Sequence, residues 1–122
     1  MDKDYTVPYY PHVSIGWDNN PRFRGFVDNV CTNNTPEMFE VALRKAKEYV
    51  DTHNLPVPLI TINSWNEWTE TSYLQPDNVY GYGYLEAVKS VFVDSLQTKK
   101  AAGEKVMNQA GQGREKERKK RK

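Results

Sequence analysis

The chain has 122 residues, 38% apolar and 27% charged, with a formal net charge of +1. That is enough for one small domain, but no apolar run approaches the roughly 20 residues of a membrane span, and a single cysteine, Cys31, excludes an internal disulfide. The charge is unevenly divided: residues 1–98 carry seven basic against thirteen acidic side chains, and residues 99–122 carry ten basic against three acidic. An acidic part is therefore followed by a basic one. Met1-Asp2-Lys3-Asp4 is not the start of a signal peptide, which leaves the localisation open.

His12 to Asp18 alternates with a period of two. Val13, Ile15 and Trp17 share one parity, and His12, Ser14, Gly16 and Asp18 share the other. This predicts a first strand, with His12 at the end away from Asp18 and read as a satisfied core histidine. Residues 19–34 form a long Asn-rich connection with Pro21, Gly25 and two arginines, the length of a binding loop or a disordered one. Arg22 on this loop is read either as a hook for an anionic sugar or as the ion-pair partner of Asp18. Thr35 then reads as a helix N-cap, with Pro36 at the first helical position and Glu37 in the first turn. Phe39, Ala42, Leu43, Ala46, Tyr49 and Val50 fall on one stripe of that helix, which His53, Asn54 and Pro56 end.

A second strand is expected through Leu59-Ile60-Thr61-Ile62-Asn63, with Thr61, Asn63, Trp65 and Glu67 on one face. Residues 73–82 form a loop with three tyrosines, whose roles as sugar contacts or lid packing stand equal. A last helix runs from Gly83 to about Thr98, with Tyr84, Leu85, Val88, Val91, Phe92 and Leu96 as its apolar face. After residue 99 the aliphatic periodicity vanishes, and the closing run of Lys, Arg and Glu predicts a disordered basic tail.

The chemistry concentrates in Trp65-Asn66-Glu67-Trp68-Thr69-Glu70. Two carboxyl groups flanking one bond are what acid/base cleavage of a glycoside requires, and indole faces suit the C–H face of a sugar. The segment follows a strand, as catalytic residues in barrel enzymes do. Because alternation sends Glu67 and Glu70 to opposite sides, the chain must turn after Trp68 for both to reach one pocket. Trp17, Trp65, Trp68 and Tyr73 are candidate stacking surfaces. Asn66 and Asp18 are candidate hydroxyl partners, and Asn66 serves equally well as a turn-former. No His/Cys/Asp cluster has metal spacing, no glycine-rich phosphate loop is present, and no cofactor is implied.

From Trp65 through Asp77, and again from Tyr80 to Ala87, the sequence resembles the C-terminal signature of WbsX-type, glycoside hydrolase family 99-like domains. Gly16-Trp17-Asp18-Asn19-Asn20-Pro21-Arg22 and Asn34-Thr35-Pro36-Glu37 also look like that family. Thr69 departs from it, standing where family 99 enzymes carry His, and so does Thr71, where glycine is usual. The resemblance implies an α/β fold: the last two strand-helix units of a (β/α)8 barrel, incomplete here because such a barrel needs about 250 residues. Residues 1–98 would be the C-terminal piece of that barrel, its N-terminal half lying on further chain, and residues 99–122 the tail.

The same resemblance implies that Glu70 is the general acid/base and that Glu67 assists through the neighbouring 2-hydroxyl. That division asks Glu70 to hold a proton, helped by Trp68 and the adjacent Glu67 charge, and Glu67 to stay ionised. The expected partner is an oligosaccharide or polysaccharide, cleaved or transferred. The alternatives are a non-catalytic remnant or a glycan-binding fragment. Nucleic acid fits poorly, since the aromatics lie in the acidic part and only the tail is basic.

Overall fold

The computed structural model describes residues 7–94 and 97. The chain divides into two compact units, Met1–Val91 and Phe92–Lys122. Of the second unit the described residues are 92–94 and 97, so the expected basic tail and the end of the last helix, Leu96 included, lie outside the described residues.

The first unit begins with strand β1 (His12–Ser14) and a single 3-10 turn at Asn20–Arg22, opened by Pro21. Helix α1 (Pro36–Thr52) follows. It starts where the local chemistry places it: the Thr35 hydroxyl accepts from Met38 N–H, Pro36 needs no donor, and Glu37 sits in the first turn. Strand β2 (Thr61–Asn63) then pairs with β1 in parallel, His12 opposite Thr61, Val13 opposite Ile62 and Ser14 opposite Asn63. The strand-helix-strand order is thus realised as an adjacent parallel pair.

The parity that puts Trp65 and Glu67 on the face of Thr61 and Asn63 is not kept past the second strand. That strand stops at Asn63, and a separate antiparallel hairpin forms from β3 (Asn66–Glu67) and β4 (Ser72–Tyr73), joined by a 3-10 turn at Trp68–Glu70. The reason is a competing set of partners: Ser64 Oγ donates to the Ser72 carbonyl, and Leu74 N–H reaches the carbonyls of Ser64 and Trp65. Helix α2 (Gly83–Lys89) leads into a π-helical turn at Ser90–Asp94.

Apolar burial gathers α1 against β1 and α2. Leu43 and Val91 are fully enclosed, with Val13, Ile15, Phe39, Ala46, Tyr84 and Ala87 around them. Phe39 meets the Tyr84 ring edge-on at 5.7 Å. Gly83 lies so close to Pro36 that a Cβ there would stand 2.8 Å from the proline ring, which seats the start of α2 on the start of α1.

On the other parity of the strand pair His12, Ser14 and Thr61 are exposed. His12 is therefore no core histidine. Its Nδ1 shares a hydrogen bond with Thr61 Oγ1 across the two strands at 2.8 Å. Trp17 is also exposed, although its parity is that of the buried Val13 and Ile15.

Candidate functional site

The site is assembled where β1 and β2 end. Past Ser14, Ile15 N–H bonds the Asn63 carbonyl and Asp18 N–H bonds the Glu70 carbonyl at 2.8 Å. The chain leaving β1 is thereby tied to the turn that carries the second glutamate. Gly16 permits this approach, for a Cβ there would stand 2.7 Å from the Thr71 carbonyl oxygen and 2.6 Å from Asn34 Nδ2. The hairpin is fixed to β2 by Ser72, whose buried hydroxyl donates to the Asn63 carbonyl and accepts from Asn63 Nδ2.

The required turn after Trp68 is present. One 3-10 turn from Trp68 to Glu70, closed by Thr71 in the left-handed region (φ 50°), brings the two glutamates to a common neighbour. That neighbour is Arg22. Its Nη2 lies 3.1 Å from Glu67 Oε2 and its Nη1 lies 2.8 Å from Glu70 Oε1. Its Nε donates to Thr69 Oγ1 at 2.8 Å. The Glu70 side chain is 17% exposed against 47% for Glu67, so the two carboxylates differ in shielding.

The ion pair expected between Arg22 and Asp18 does not form. Asp18 Oδ1 instead accepts from the N–H and the side-chain amide of Asn20 at 2.9 and 2.7 Å, the geometry of a turn cap. Asn20 also bonds the backbone of Val27 in both directions and folds the loop onto itself.

Among the aromatics, Trp68 stacks on Tyr73 with ring centroids 3.9 Å apart, and its Nε1 donates to Gln75 Oε1 at 2.7 Å. One indole face is therefore occupied by protein. Trp65, 53% exposed, and Trp17, 37% exposed, lie at the surface. Asn66 is exposed on β3 opposite Tyr73. Burial raises the Tyr73 phenol above its usual range, with the Asp77 charge adding to the effect. In the following loop Asp77 Oδ1 accepts from Val79 and Tyr80 N–H, and Tyr80 packs edge-on against Tyr84. Tyr80 thus packs along one edge and is 42% exposed, and Tyr82 is 65% exposed.

Sequence reasoning left Arg22 between an anionic sugar and Asp18, and missed Glu67, Thr69 and Glu70 as its partners and Gln75 as that of Trp68. The available signal was an arginine in a proline-started turn directly after the first strand, where that strand's end meets an acidic segment. Among the described residues no group of His, Cys, Asp and Glu could hold a metal ion, and no helix is long and apolar enough to cross a membrane.

Comparison with known proteins decides the family. The model described as glycosyltransferase WbsX matches residues 1–88. The chain belongs to the WbsX glycosyltransferase family. It is also 35% identical over 89 residues to proteins named WxcX from Xanthomonas campestris pv. campestris, strains B100 and ATCC 33913, an alignment covering 71% of this chain and 12% of each relative. The chain thus spans about an eighth of the length of these curated relatives. No solved structure matches.

Proposed function

We propose that this chain is the carboxylate-bearing segment of a carbohydrate-active WbsX enzyme, and that Glu67 and Glu70 act together on a sugar bond. The observation that supports this most is the convergence of both glutamates on one guanidinium, three residues apart yet facing one place. In this reading Glu70, the more shielded carboxyl, gives a proton to the departing oxygen from Oε2, the oxygen that Arg22 does not hold, while Glu67 assists at the sugar. Exposed Trp17 and Trp65, with Trp68 on its Tyr73 support, offer faces for the sugar ring. Asn66 and Asp18 offer hydroxyl partners. Hydrolysis and transfer share this first step and part only over whether water or a sugar hydroxyl takes the glycosyl group.

The reading includes a larger fold. A parallel strand pair is ordinarily covered on both faces. Here α1 covers one, and the other shows His12, Ser14 and Thr61 to solvent. Further strand-helix units on a longer chain would close the sheet toward a (β/α)8 barrel. A second reading, a glycan-binding piece without turnover, is favoured by the exposed indoles and by the small share of the relatives that this chain spans.

The test uses a longer polypeptide carrying this segment. Glu70→Gln should lose about 10²–10⁴-fold in turnover of substrates with poor leaving groups, and less where the leaving group needs no proton. Glu67→Gln should impair all substrates alike. Glycan binding, followed by tryptophan fluorescence, should survive both changes. Full turnover in both variants would refute the paired-carboxylate reading, and binding without turnover in the parent would favour the second.

A further inference from the structure

Three features of Arg22 set it apart from a surface ion pair. Its three kinds of nitrogen each have a separate acceptor within Glu67-Thr69-Glu70, at 3.1, 2.8 and 2.8 Å. The turn that carries it is held by its own residues: Pro21 opens it and the Asn20 side chain ties it to Asp18 and Val27. The same Asp18 gives its N–H to the Glu70 carbonyl, so the arginine turn and the glutamate turn share an anchor.

We propose that Arg22 is the positioning residue of the Glu67–Glu70 pair, a planar counter-ion that holds both carboxylates toward one point. The proposal rests on the reading of that pair as the sugar-acting groups. Two carboxylates in one tight turn repel and would splay into solvent. A cation between them offsets the repulsion, and a guanidinium fixes the direction of each through its own nitrogen. A lysine carries the charge on a single nitrogen and cannot reproduce that fork. With these donors engaged, Arg22 acts through the glutamates and is not a free hook for an acidic sugar.

Labelling with a water-soluble carbodiimide and an amine, mapped by mass spectrometry on the full 122-residue chain, tests this directly. Glu67, although 47% exposed, should label more slowly than the exposed Glu48 and Glu86. Arg22→Gln should raise the labelling of Glu67 and Glu70 together, and Arg22→Lys should restore protection to one of the two but not both. Amide exchange in α1 checks that the fold persists. Should Arg22→Gln disturb it, Thr69→Val removes only the Nε acceptor and should give a smaller rise at both sites.

Glu67 labelling as fast as Glu48 in the parent, or no change at either glutamate in these variants, would overturn the proposal. The labelling needs no glycan, so its failure is distinct from a failure of the sugar-acting reading. In the longer polypeptide Arg22→Gln should lower kcat by about ten- to a hundredfold with KM little changed. An unchanged kcat would overturn the positioning role.

Discussion

The helices α1 and α2 with β1, and the short stretch from Ser64 to Gln75, are held together by different physics. Every buried apolar side chain among the described residues comes from the segment of β1, from α1, or from α2 and its π-helical turn. The Ser64–Gln75 stretch contributes one buried residue, and that is the polar Ser72. Its shape comes from backbone pairing, the Ser72 and Ser64 hydroxyls, the Trp68–Gln75 bond and the Arg22 ion pairs. Apolar burial is non-directional and tolerates repacking, whereas hydrogen bonds fix direction at about 0.5–1.5 kcal/mol each. The scaffold is thus built for persistence and the candidate site for orientation.

Three measurements press on that contrast. The largest effect is expected from Leu43→Ala, because Leu43 is fully enclosed between the strand and helix layers. It should cost about 2–5 kcal/mol and unfold scaffold and hairpin together, read by urea titration of far-ultraviolet dichroism. Hairpin amides that stayed protected would show that the turn folds independently.

Ser72→Ala should cost about 1–3 kcal/mol, since it leaves the Asn63 groups without the hydroxyl that joins them. Faster amide exchange should appear at Thr71 and Leu74 while α1 keeps its protection. Equal loosening of α1 would erase the distinction drawn above.

The smallest effect concerns alkaline pH. Burial, with the charge of ionised neighbours second, pushes the Tyr84 phenol from 10.0 up to about 12, and its hydroxyl donates to the Asn34 carbonyl. The folded form thus favours the neutral phenol. That contribution is fully present below pH 10 and is lost as pH rises from there through about 12. Stability measured against pH should decline in that window, and less steeply in Tyr84→Phe. An identical decline in both would remove Tyr84 as its source.

What could be read from the sequence was local. Thr35-Pro36-Glu37 states its helix start within three residues, and the stripe through Phe39, Leu43 and Ala46 states its buried face. The order of strand, helix and strand was enough for a parallel pair of neighbours. The hairpin after β2 was not legible, because it depends on Ser72 binding Asn63 and Ser64 from nine and eight residues away. Nor was the exposure of His12, which depends on which sheet face α1 covers. The proline at position 21 announced a turn, but nothing near Arg22 in sequence announced that its acceptors lie in another segment.

Arg22 and Glu67 are separated by 45 residues, with the whole of α1 between them. Glu67 and Glu70, by contrast, are neighbours from the moment they are made. A nascent or partly unfolded chain therefore carries both carboxylates without their cation, because closing so long a loop waits on the crossover packing back over the strands. The charges meet only where the chain on either side of that helix has been brought together. Binding or chemistry that needs the three groups together would then mark a chain whose crossover is complete, and a segment cut anywhere between residues 23 and 66 could not regain it from either part alone.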